Sequence, residues 1–168
     1  HAQHRGRVWV RWRRRHGKPL QPLRRAESDI LKTLQRLPDW EERLSAWLAE
    51  CAGASFEWGK LDCLMFVAGA INAVTGYDPA KGHRGKYNSL ASSARYLKKL
   101  GADSAWDYLD KHFPSTPKAQ ARRGDIILAE GNAGVCFGGY ALFVGIENNE
   151  PGLIRIPFAE WQAAWAIG

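Results

Sequence analysis

Trp40, Leu44, Trp47, Leu48 and Cys51 fall three or four residues apart, on one face of a helix through "LPDWEERLSAWLAECAG". Asp39 stands at its N-cap, Glu41 and Glu42 suit the positive end of its dipole, and Gly53 closes it. The next periodic stretch is apolar almost all round, since Leu64, Phe66, Val67, Ala70, Ile71 and Val74 leave little polar face. Such a helix is central and buried. Asp62 is its expected N-cap, Cys63 its first residue and Gly76 its C-cap glycine. Shorter helices are expected over 29–36, in "LASSARYLKKLG" and in "SAWDYLDKHF", with "YDPAKGHRGKYNS" as a loop.

Past Phe113 the pattern changes. The polar stretch 115–120 reads as a linker, and "RRGDIILAE" turns on Gly124 and runs on as a strand. "GVCFGG" and "YALFVGIE" read as two more strands, joined as a hairpin through Gly138 and Gly139. "LIRIP" is a fourth strand, and "AEWQAAWAIG" is expected to end the chain as a helical turn or short helix. Helices first and an antiparallel meander afterwards make the class α+β, with a sheet of four to six strands packed on the central helix.

Composition changes that picture at one end. The chain of 168 residues has 45% apolar residues and eight tryptophans, enough for a packed core. Its net charge of +7 is unevenly placed. Residues 1–25 hold nine basic residues (Arg5, Arg7, Arg11, Arg13, Arg14, Arg15, Lys18, Arg24, Arg25) and no acid. The 24 Lys and Arg less these nine leave 15 against 17 acidic residues, so the remainder is close to neutral. Residues 1–28 therefore read as a basic arm without a core of its own, interrupted by Pro19 and Pro22, and residues 29–168 as the domain. Within the arm, Val8, Val10 and Trp12 alternate with Arg7, Trp9, Arg11 and Arg13, a period-2 pattern suited to adding as a strand to another surface. The longest apolar stretch, Leu64–Ile71, is far short of a bilayer span of roughly 20 residues. No leader-like pattern opens the sequence, and a soluble protein is expected.

Candidate chemistry centres on Cys63. A thiolate is the nucleophilic form, and a helix N-terminus can lower a cysteine pKa from ~8.5 into ~3.5–7.5 while offering backbone donors to an oxyanion. The competing reading is a small core residue beside leucines. The three cysteines show no CxxC spacing and the five histidines are scattered, so neither a disulfide framework nor a metal or other cofactor is expected.

The order "FEWGKLDCLMFV", "TGYDPAKGHRGKY", "RRGDIILAE" resembles the NlpC-type cell-wall cysteine peptidases, a papain-like group. It is closer still to a phage-tail domain family of unassigned function within that superfamily, which shares W-G-x-x-D-C and ends near an aromatic-rich "AW" segment. The likeness covers roughly residues 38–168 and leaves the arm outside. It implies a papain-like fold with Cys63 at the nucleophile position and Asp62 before it. Asp125 matches the aspartate opening the first strand and reads as a turn residue. The group's base is a histidine opening the second strand. Aligning Gly134 puts Asn132 there, and an asparagine cannot accept a proton near neutral pH. The third polar position of the group falls near Phe143. His83, in the loop, and His112, at a helix end, are the alternative bases; Tyr87 and Trp58 are candidate cleft residues, with core packing the competing reading for Trp58.

Three functions follow as expectations. The resemblance implies a structural component of a bacteriophage-type tail at its hub or tip, made in the host cytoplasm and localised to the virion, with the arm engaging other tail subunits. The alternative is a cysteine peptidase or amidase cutting peptidoglycan peptides during genome entry. The third, and least favoured, is nucleic-acid binding by the arm, its charges gripping phosphates and Trp9 and Trp12 stacking on bases.

Overall fold

The computed structural model describes residues 7–8 and 25–168; of 7–8 and 25–26 it describes only the backbone. Five helices precede most of the sheet: α1 (Arg25–Lys32), α2 (Trp40–Cys51), α3 (Cys63–Thr75), α4 (Leu90–Lys99) and α5 (Ala105–His112). The strands are β1 (Arg7–Val8), β2 (Ser115–Thr116), β3 (Ile126–Ala129), β4 (Asn132–Cys136), β5 (Tyr140–Glu147), β6 (Glu150–Pro157) and β7 (Ala163–Trp165). All pair antiparallel in one sheet, in the order β6-β5-β4-β3-β7-β2. Strand β1 pairs with Ile146 and Glu147 of β5, on the side away from β6. The protein is α+β.

Helix α3 runs through the centre because its sequence leaves it nowhere else to go. Nine of its residues are buried, among them Phe66, Val67, Ile71 and Val74. The Asp62 carboxylate accepts the Met65 N–H at 3.0 Å at one end, and Gly76 adopts φ 78° at the other, where its N–H reaches Asn72 O. Both caps are those the sequence predicts. Against α3 lies α2, brought close by Gly69, where a Cβ would stand 2.2 Å from the Trp47 ring. Trp47 Nε1 then donates to Phe66 O at 3.1 Å. Asp39 occupies the N-cap of α2, but its side chain makes no capping bond.

Three tight turns set the register of the meander. The predicted hairpin at Gly138–Gly139 is present: Gly138 takes φ 88°, and Phe137 N–H donates to Tyr140 O at 2.8 Å. Glu130–Gly131 and Asn148–Asn149 have positive φ at both central residues, as a type I′ turn requires. Side chains then alternate between faces. Ile126, Leu128, Ala133, Val135, Leu142 and Val144 belong to the core cluster that holds α3. Ile127, Ala129, Cys136, Phe143, Ile154 and Ile156 fill a second cluster with Trp161.

Two expected elements differ. The C-terminal stretch is one 3₁₀ turn (Phe158–Glu160) followed by β7, which pairs with β3 (Ile126↔Trp165) and with β2 (Ser115↔Trp165). An isolated short helix gains little in water, whereas the β3 edge offers a ladder and a site where Trp165 is 1% exposed. The linker 115–120 thereby acquires a strand, β2, and a 3₁₀ turn. The helix expected over 29–36 begins four residues earlier, at Arg25. Its end is drawn off by tertiary contacts, since Leu37 N–H donates to Val74 O at 2.9 Å and the Arg36 side chain reaches Asp125. Within the arm, the period-2 reading coincides at Arg7–Val8 with β1; residues 9–24, with Trp9 and Trp12, lie outside the described residues.

Candidate functional site: the N-terminus of α3

Cys63 is the first residue of α3 and is 3% exposed. Beside it, the buried Asp62 carboxylate gathers three donors. Oδ1 accepts from Met65 N–H, and Oδ2 accepts from Gly59 N–H at 2.9 Å and from the Tyr87 hydroxyl at 2.6 Å. Gly59 is held at φ 77° with Tyr87 O so near that a Cβ would collide with it, and Gly85 N–H donates to Gly59 O at 3.0 Å. Asp62 thus clasps three pieces of chain: the turn at 57–61, the first turn of α3 and the loop ahead of α4. Sequence reading found its capping role and missed the other two. Burial first, then the Asp62 charge, pushes the Tyr87 phenol far above its ordinary range, so it stays a donor.

The loop after α3 is shaped by ion pairing and one imidazole. Arg84 makes a two-pronged bond to Asp78, at 2.7 and 2.9 Å. His83 Nδ1 lies 2.6 Å from the Tyr96 hydroxyl, and the Tyr96 and Tyr87 rings are 5.6 Å apart. His83 and Tyr87 line an apolar pocket that also includes Leu64 and Met65 from the first turn of α3. Trp58 stands edge-on to Phe56, with ring centroids 4.9 Å apart.

Asn132 opens β4, is 4% exposed, and donates from Nδ2 to Glu130 O at 3.3 Å. Strand alternation sets it on the face of Gly134 and Cys136. A Cβ on Gly134 would lie 2.7 Å from the Phe143 ring, and both Cys136 and Phe143 belong to the second cluster. Ala133 and Val135 are the β4 residues that share a cluster with Cys63. Neither side chain can move a proton.

His112 ends α5, 5% exposed, with its ring 4.5 Å from that of Tyr108. Its Nδ1 has no hydrogen-bond partner among the described residues. Burial, followed by the charges of Lys111 and Lys32, holds its pKa below the ordinary histidine value, with Asp107 opposing. The unfolded chain therefore binds a proton that the folded chain resists. The stability this contributes is present above about pH 6.5 and is lost as pH falls toward the lower folded value. Denaturant midpoints at pH 7.5 and 5.0 are expected to separate more in the wild type than in His112→Leu. Equal separations would show that His112 is not responsible.

Among the described residues, no group of three His, Cys, Asp or Glu side chains could hold a metal ion, and no helix is long and apolar enough to cross a membrane. The architecture is that of an α+β domain with a cysteine opening its central helix and a buried aspartate capping that helix. A family model described as a domain of unknown function (DUF6950) matches residues 35–167, and the chain belongs to this family. No curated protein matches it.

Proposed function

We propose that this is a papain-like, NlpC-type domain without a working proton relay, serving as a structural component of a bacteriophage-type tail at its hub or tip. The observation that carries the absence of catalysis is the make-up of β4. Its side chains on the Cys63 side are Ala133 and Val135, and Asn132 at the strand start faces the second cluster. With no proton-transferring side chain on the Cys63 side of that strand, β4 does not supply the general acid–base help, worth about 10²–10⁴-fold, that includes protonation of the leaving amine. The tail context rests on the sequence resemblance, and the basic arm supplies a contact surface for other tail subunits. Of the arm's described residues, Arg7 and Val8 pair as a strand with β5 of this same chain.

A second reading, a peptidase acting on peptidoglycan peptides, is favoured by one observation. The His83 imidazole and the first turn of α3 line the same pocket. Mass spectrometry of peptidoglycan incubated with the protein distinguishes the two. Released peptides are expected to stay at the level of Cys63→Ala. Digestion that disappears in both Cys63→Ala and His83→Ala would overturn the structural reading and assign the base.

A further inference from the structure

Positive charge is segregated within the domain as well as in the arm. Residues 79–102 hold six Lys and Arg (Lys81, Arg84, Lys86, Arg95, Lys98, Lys99) and no acid. The other positions of 29–168 hold nine Lys and Arg against sixteen Asp and Glu, a balance of −7. All six cations are exposed. Lys98 and Lys99, in the last turn of α4, suit the negative end of its dipole. The dipole explains neither the three cations of the preceding loop nor Arg95, which stands three and four residues before those lysines, where like charges repel.

The fold joins loop and helix into one face. His83 Nδ1 lies 2.6 Å from the Tyr96 hydroxyl, and the Tyr87 and Tyr96 rings are 5.6 Å apart, so the loop is fastened along α4. Arg95, Lys98 and Lys99 flank Tyr96 on the helix, while Lys81, Arg84 and Lys86 flank His83 on the loop. The acids that reach this face are Asp78, held by Arg84 and also favoured in its charged form by Lys81, and Glu27, which acts on the Tyr96 phenol. The five cations other than Arg84 form no ion pair among the described residues. Gly82 and Gly85, at φ 82° and 73°, leave backbone open between the loop cations.

We propose that this face of α4 and its loop binds a nucleic-acid duplex through the phosphodiester backbone, without reading its sequence. A duplex presents about one negative charge per 1.7 Å, a density that matches a row of unpaired cations. Four of the five are lysines, point charges suited to phosphate. Lysine is depleted in protein–protein interfaces, where arginine and aromatic residues lead. The face offers no free ring on which the bases of a single strand could stack. Tyr87 and Tyr96 are half-buried, and their hydroxyls are paired with Asp62 and His83. Leu90 is the large apolar side chain exposed on this segment, too little for insertion into a membrane surface.

Fluorescence anisotropy of a labelled DNA duplex of about 20 base pairs, titrated with the full chain between about 50 and 200 mM salt, tests this. The arm brings nine further basic residues, so the readout is the difference between the wild type and a variant carrying Lys81→Gln, Lys86→Gln, Lys98→Gln and Lys99→Gln. All four side chains are exposed, so the substitutions leave the packing of the domain intact. The variant is expected to bind more weakly, with the slope of log affinity against log salt shallower by about 3–4. The loop pair and the helix pair, substituted separately, are each expected to account for about half of that change. Oligothymidylate of the same length is expected to bind the wild type more weakly than the duplex does. No duplex binding by the wild type, or an unchanged slope in the fourfold variant, would overturn the proposal, the latter assigning the binding to the arm. A fall confined to one pair would overturn the joined face. Polyglutamate or phosphatidylserine vesicles held as tightly as the duplex, and released by the same four substitutions, would overturn it in favour of an acidic protein or a membrane.

Discussion

Asp125→Ala is expected to destabilise the protein by about 3–5 kcal/mol, the usual result of removing one partner from a buried ion pair. Asp125 is 1% exposed and accepts from three separate segments. Arg36 Nη2 reaches Oδ1 at 2.9 Å, Ile167 N–H reaches the same oxygen at 3.0 Å, and Arg122 N–H reaches Oδ2 at 2.7 Å. It therefore ties the segment after α1 to the start of β3 and to the chain beyond β7. Without it the buried Ile167 N–H has no acceptor, while Arg36 keeps Ile167 O at 2.8 Å and Arg123 O at 2.6 Å and stays stacked over Trp40. Asp125→Asn, which keeps an acceptor but not the charge, is expected to cost about 1–2 kcal/mol. Urea denaturation followed by tryptophan fluorescence measures both. A loss below 1 kcal/mol in Asp125→Ala would contradict the assignment of this residue as a tie between segments.

Asp62→Ala is expected to cost about 3 kcal/mol, combining a lost N-cap of about 1 kcal/mol with two further donors left without an acceptor. In a chain of this size that lowers the melting temperature by roughly 10 °C. Tyr87→Phe removes one of the three bonds and is expected to cost about 1 kcal/mol. The pair of variants separates a capping effect from a clasp. In Asp62→Ala, hydrogen exchange should accelerate at the amides of Gly59, Met65 and Gly85, which lie on the three clasped pieces of chain. Acceleration confined to Met65 would reduce Asp62 to an ordinary cap.

Local signals that stand next to one another along the chain determined a good part of this protein from sequence alone. The Asp62–Cys63 start and Gly76 end of α3, the amphipathic face of α2 and the Gly138–Gly139 hairpin each depend on neighbours within a few residues, so their physics is legible without a fold. The order of helices and strands, and hence the α+β class, follows from the same signals.

Other features were decided only when distant segments met. Whether 163–165 forms a helix or a strand depends on the open edge of β3, some 35 residues away in the chain, because the ladder and the Trp165 site exist only once β3 is in place. The residues after Lys32 leave the helical path for the same reason, having partners in Val74 and Asp125. Asp62 and Asp125 look like ordinary capping and turn residues in sequence; each becomes a three-donor centre only in the folded chain, because the donors come from segments up to dozens of residues apart. The face of Asn132 was likewise beyond local reading. Alternation fixes which residues share a side of β4, but only packing against α3 decides which side is which.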